Sequence, residues 1–121
     1  MKVLGINGSP RKDGNTAIII RTIFKELTKE GIDTELIQLS DITIKGCIAC
    51  RGCAANKKQC VITDDDFNDC FAKMLEADGI ILGSPVYSAD VTSQIKALID
   101  RAAIISSANK GLFKHKKLVL Q

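Results

Sequence analysis

The apolar positions of this chain fall into short runs whose period changes along its length. Residues 2–7, Lys-Val-Leu-Gly-Ile-Asn, are a brief apolar run followed by turn residues, which predicts a buried strand. Gly8 to Asn15 is rich in turn formers. From Thr16 to Glu30 the period becomes helical: Ile20, Ile23, Phe24 and Leu27 share a face, and Gly31 stands where a helix cap belongs. Thr34–Leu39 predicts a second strand, with Glu35, Ile37 and Leu39 on one side. Asp64–Ala77 predicts a second helix whose inner face holds Phe67, Cys70, Phe71, Met74 and Leu75. Thr63 and Asp66 have the spacing of a capping box, and the acidic first turn suits the positive helix end. Gly79–Gly83 is apolar between its glycines, as strands buried on both faces are. Val91–Ala103 predicts a third helix, with Val91, Ile95, Leu98, Ile99 and Ala102 facing in. Residues 117–120 begin a fourth strand.

Strand and helix alternate throughout, which predicts an α/β doubly wound parallel sheet covered by helices on both faces. The 121 residues make room for one domain, 1–121. Such a sheet normally closes with a further strand and helix, so the chain reads as truncated after its fourth strand. A content of 45% hydrophobic and 26% charged residues is that of a globular domain and excludes disorder. The apolar runs are too short for a membrane span or a secretory signal, so a cytoplasmic location without membrane contact is expected. The net charge is +3, with Lys110, Lys114, His115, Lys116 and Lys117 gathered near the end. That stretch reads as a solvated loop, and 4% aromatics offer little for base stacking, so no nucleic-acid partner is expected.

In a doubly wound sheet the third strand lies on the far side of the first from the second. Ligands bind in the crevice outside the carboxyl ends of strands one and three. The turn Gly8–Thr16 flanks that crevice. Its backbone N–H groups and the helix dipole behind it favour an anion, and Ser9, Arg11, Asn15 and Thr16 add polar or charged donors, which together suit a phosphate. Neither a P-loop nor a dinucleotide fingerprint is present. The turn Ser84–Asp90 flanks the other side, where Pro85, Val86 and the single tyrosine, Tyr87, can meet a flat ring.

Five cysteines in a reducing compartment point to metal or redox use before structural disulfides. Cys47, Cys50, Cys53 and Cys60 stand together in the connection 40–63. The first three have the spacing of a run that wraps an iron–sulfur cluster. A structural zinc held by four thiolates and a loop of free thiols remain alternatives. Cys70 falls on an inner helical face and reads as a small buried residue.

These residues, in this order, resemble the NADPH-dependent FMN reductases of the flavodoxin-like superfamily. The likeness is carried by the opening Lys2–Thr16, Gly46–Cys50, Cys60–Asp66, Ala77–Ile80, Gly83–Tyr87 and Lys96–Arg101. The four-cysteine loop is similar to that of the iron–sulfur flavoprotein branch. The resemblance implies a flavodoxin-like fold and an FMN-dependent oxidoreductase or electron-transfer function. It implies that Ser9, Arg11, Asn15 and Thr16 hold the FMN phosphate and that Pro85, Val86, Tyr87 and Ser88 line the isoalloxazine. It further implies that Cys47, Cys50, Cys53 and Cys60 ligate a [4Fe-4S] cluster. NAD(P)H as electron donor, a redox protein partner and a homo-oligomer follow from the same likeness. A metal-free FMN or quinone reductase, or a non-catalytic protein with a zinc loop, are the rival readings.

Overall fold

The structure is a computed structural model that describes every residue except Lys57, His115, Lys116 and Gln121, and only the backbone of Lys117–Leu120. The predicted basic stretch around His115 therefore lies largely outside the described residues. Four strands, β1 (Lys2–Asn7), β2 (Asp33–Gln38), β3 (Gly79–Gly83) and β4 (Lys117–Leu120), alternate with three helices, α1 (Asn15–Lys29), α2 (Phe67–Glu76) and α3 (Ser93–Ala108). The strands pair in parallel in the order β2-β1-β3-β4. Leaving β1 to either side puts the switch point between β1 and β3, as the alternation predicts.

The two faces of the sheet are filled differently. Gly5 and Gly83 let α1 lie against one face, since a Cβ at either would come within 2.8 Å of Ile20. The other face carries the larger core: Leu4, Ile6, Ile80 and Leu82 pack with Phe67 and Phe71 of α2 and Leu98 of α3. All five residues of β3 are buried. Gly31, at φ +75°, ends α1 as predicted, with its N–H on Thr28 O (3.0 Å) and the Ile32 N–H on Leu27 O (3.1 Å).

Two helices differ from the sequence pattern by more than a residue, α2 at its start and α3 at both ends. α2 begins at Phe67, three residues after the predicted Asp64, and no side chain caps it. Asp65 Oδ1 accepts the Phe67 N–H (3.1 Å) from just outside the cap position, and the remaining aspartate bonds go elsewhere. Asp66 exchanges hydrogen bonds with the Thr43 backbone (2.8 and 2.9 Å), Asp65 accepts from the Lys45 N–H (2.9 Å), and Asp64 pairs with Lys45 Nζ (2.6 Å). Residues 43–45 take Asp64 and Asp66 from the helix end and share Asp65 with it. α3 starts after a true cap, Thr92, and continues five residues past Ala103, because Ile105 still has core to bury against.

Candidate functional site

The turns after β1 and β3 are joined to each other. The Gly8 N–H donates to Gly83 O (2.7 Å), and the Thr92 hydroxyl donates to Gly8 O (2.7 Å). The Thr92 N–H donates to Ser84 Oγ at 3.0 Å. The expectation that both turns share one rim is met. Behind the first turn, buried Asn7 donates from Nδ2 to Gln38 Oε1 (2.7 Å) and accepts from the Ser9 N–H (2.9 Å). Gln38 Nε2 donates to Ser9 O and Ser40 Oγ, both at 2.8 Å. Sequence reasoning missed Asn7, Gln38 and Thr92. The available signal was a polar residue at the last place of two paired strands, Asn7 and Gln38 being in register.

Of the predicted phosphate ligands, Ser9 is buried with its Oγ accepting from the Arg11 N–H (3.1 Å), Thr16 is half-buried, and Arg11 and Asn15 are exposed. Gly14 occupies the cap position of α1, and no side chain caps that helix, so its first-turn N–H groups face the rim without a built-in acceptor. On the opposite turn Pro85 is half-buried while Val86 and Tyr87 are exposed, at 77% and 48%. Ser88 and Ala89 are held at φ +45° and +65° by two hydrogen bonds between the Tyr87 and Asp90 backbones (2.7 and 3.0 Å). Two successive left-handed residues without glycine are strained.

The second site lies along α3. Cys47, Cys50, Cys53 and Cys60 all line one cavity of about 310 Å³, with Arg101 and Ile104 in its wall. Cys53 and Cys60 are buried; Cys47 and Cys50 are exposed. Ala49 and Arg51, at φ +55° and +59°, flank Cys50, and the Ala49 N–H donates to Cys47 Sγ at 3.4 Å. Gly52 is required by a close approach, since a Cβ there would lie 2.6 Å from Val61 Cγ2. Asn68 clamps Cys60 from both sides, accepting its N–H (2.8 Å) and donating to its carbonyl (3.0 Å). Cys70 stands apart in the core, as predicted, with its thiol pushed up to about 11 by burial. Among the described residues no three Cys, His, Asp or Glu groups converge on a single ion.

Arg101 is the residue the sequence left without a role. Its side chain and that of Asp65 are 2% and 0% exposed and form a two-point pair, at 2.5 and 3.4 Å. The guanidinium also donates to Lys45 O (3.0 Å) and lies 4.1 Å above the Phe67 ring. Burial works against its charge, but Asp65 and then Cys60 outweigh it and hold Arg101 above its ordinary value. Burial alone would raise Asp65; Arg101 and the N–H groups of Lys45 and Phe67 reverse this and hold it below the usual carboxylate value. Arg101 Nε is buried with no acceptor. Arg101 lies nine residues along α3 from Thr92, about 14 Å at 1.5 Å per residue, so the cysteine cavity is set well down the helix from the rim.

An all-parallel sheet of this order, with two joined turns at its switch point, defines a flavodoxin-like α/β protein. The chain belongs to the NADPH-dependent FMN reductase family, whose sequence profile residues 1–120 match. It is 48% identical over 102 residues to an iron–sulfur flavoprotein of Methanocaldococcus jannaschii, covering 84% of this chain and 52% of that one. An iron–sulfur flavoprotein of Methanosarcina thermophila is 38% identical over 112 residues, 93% of this chain and 58% of the other. Among solved structures, a flavone reductase superposes on 99% of this chain and 42% of its own with a TM-score of 0.71 at 22% identity, a likeness of fold. The chain thus spans about half the length of the curated relatives it matches. No described helix is long and apolar enough to cross a membrane.

Proposed function

We propose that this chain is an FMN-dependent electron-transfer flavoprotein that also carries an iron–sulfur cluster. Ser9, Arg11, Asn15 and Thr16 take the flavin phosphate; Pro85, Val86, Tyr87 and Ser88 line its ring; Cys47, Cys50, Cys53 and Cys60 hold the cluster. NAD(P)H is the electron donor, a redox protein the acceptor, and the working form a homo-oligomer. FMN, when bound, supplies the conversion between two-electron and one-electron chemistry. The protein contributes position: the joined turns fix the rim, and the clamped loop presents its thiols. The observation that carries this reading is the gathering of all four cysteines on one cavity whose wall holds a buried cation. The cavity passes a test of fit. A buried N–H without acceptor costs about 1–3 kcal/mol, and an anionic sulfur-rich group beside Arg101 Nε would satisfy it. The names of the relatives support the same reading.

An absorption spectrum of the anaerobically purified chain tests it. Two flavin bands are expected above a broad shoulder that dithionite bleaches. Cys50→Ser is expected to remove the iron and leave the flavin. Flavin without iron in the unaltered chain would favour a metal-free FMN or quinone reductase. A colourless protein containing zinc would overturn the proposal.

A further inference from the structure

We infer that Arg101 is a positioning and tuning residue for the group the cysteines hold, its charge acting on Cys60 to favour the reduced form. This rests on the cluster reading above. A buried guanidinium that only braced the fold would have its donors spent on the fold. Here both Nη atoms are so used, on Asp65, Lys45 O and Ile62 O, while Nε–H has no acceptor in the protein. Arg101 is also in the wall of the cavity that the four thiols line. The other cation in that wall, Arg51, is exposed and screened by water, so its field at the thiols is weaker. Asn68 clamps the Cys60 backbone on both sides and so fixes where that residue enters the cavity wall.

The sign of the effect follows from charge. One-electron reduction of a thiolate-bound cluster adds a negative charge near Cys60. A fixed cation beside it stabilises that product more than the reactant, and an N–H···S contact does the same. Asp65 lies beyond Arg101, so removing the arginine both deletes the cation and leaves a carboxylate without its partner.

The test is a dye-mediated redox titration of the reconstituted chain, with dithionite as reductant, read separately at cluster and flavin wavelengths. Arg101→Gln is expected to lower the reduced-to-oxidised ratio of the cluster about tenfold at a fixed potential, a shift of about 59 mV for one electron. The flavin potential, set by turns about 14 Å away along α3, is expected to stay put. Arg101→Lys keeps the charge and loses the Nε donor, so a smaller fall in the same direction is expected. If Arg101→Gln fails to take up iron, the lysine variant decides. Unchanged cluster potentials in the variants that load iron would overturn the inference and leave the cluster reading intact. A wild-type chain that takes up no iron would overturn both.

Discussion

The turn after β1 and the loop after β2 leave neighbouring strands at the same edge of the sheet, yet they are fastened by different chemistry. The base of the first is held by uncharged groups: Asn7, Gln38, Ser9 and Thr92 exchange hydrogen bonds among amides, hydroxyls and backbone, while the turn's ion pairs, Lys12–Asp41 and Asp13–Arg21, are exposed to solvent. The second is held chiefly by charge: Asp65 and Asp66 accept backbone N–H groups of residues 43–45, Asp64 pairs with Lys45, and Arg101 stands behind Asp65, with the neutral Asn68 clamp on Cys60 beside them. Neutral locks fix a shape at little desolvation cost and respond weakly to pH. Charged staples make stronger individual bonds, but only while both partners keep their charge.

The contrast breaks most visibly at Arg101. Arg101→Met leaves Asp65 buried without its partner and is expected to cost about 3–5 kcal/mol of stability in urea unfolding. A loss below 1 kcal/mol would mean that the pair is not desolvated as its burial indicates. Removing the neutral lock costs less. Asn7→Ala takes two hydrogen-bond partners from the first turn and is expected to cost about 1–3 kcal/mol in the same assay while leaving the cysteine loop protected from hydrogen exchange. Exchange rising equally in both regions would show that they are one cooperative unit.

Acid gives the smallest and most selective effect. Asp65 is held below its ordinary value of 3.8, so it binds protons less readily folded than unfolded. Its contribution is complete well above that value and is lost as pH falls through the lower folded one. Hydrogen exchange at descending pH is expected to show the N–H of Lys45 losing protection before those of Gly8 and Ser9. Simultaneous loss would count against separate fastening.

Much of this was legible in the residues. The period of the apolar runs located all four strands and three helices, because burial on a sheet leaves a simple repeat. The rim was legible too, since the order of elements fixes which turns follow adjacent strands. The cysteine spacing pointed to a shared metal, with free thiols as an alternative, and the structure puts all four on one cavity. What stayed hidden were long-range pairings without a local pattern. The run Asp64-Asp65-Asp66 looks like a helix start because that is the nearest use for three acids, and only the fold reveals residues 43–45 as the better donors. Arg101 sits on an apolar helical face, where the pattern alone gives no sign of a partner 36 residues earlier.

The Thr92 hydroxyl reaches back across 84 residues to Gly8. Closing so large a loop is entropically slow, and contacts of that span form after local ones. A growing chain therefore emerges with its first turn spelled out but not yet shaped, and α3 must dock before that turn acquires its final outline. Maturation of the rim is a late event in assembly, written by residues synthesised long after the ones it arranges.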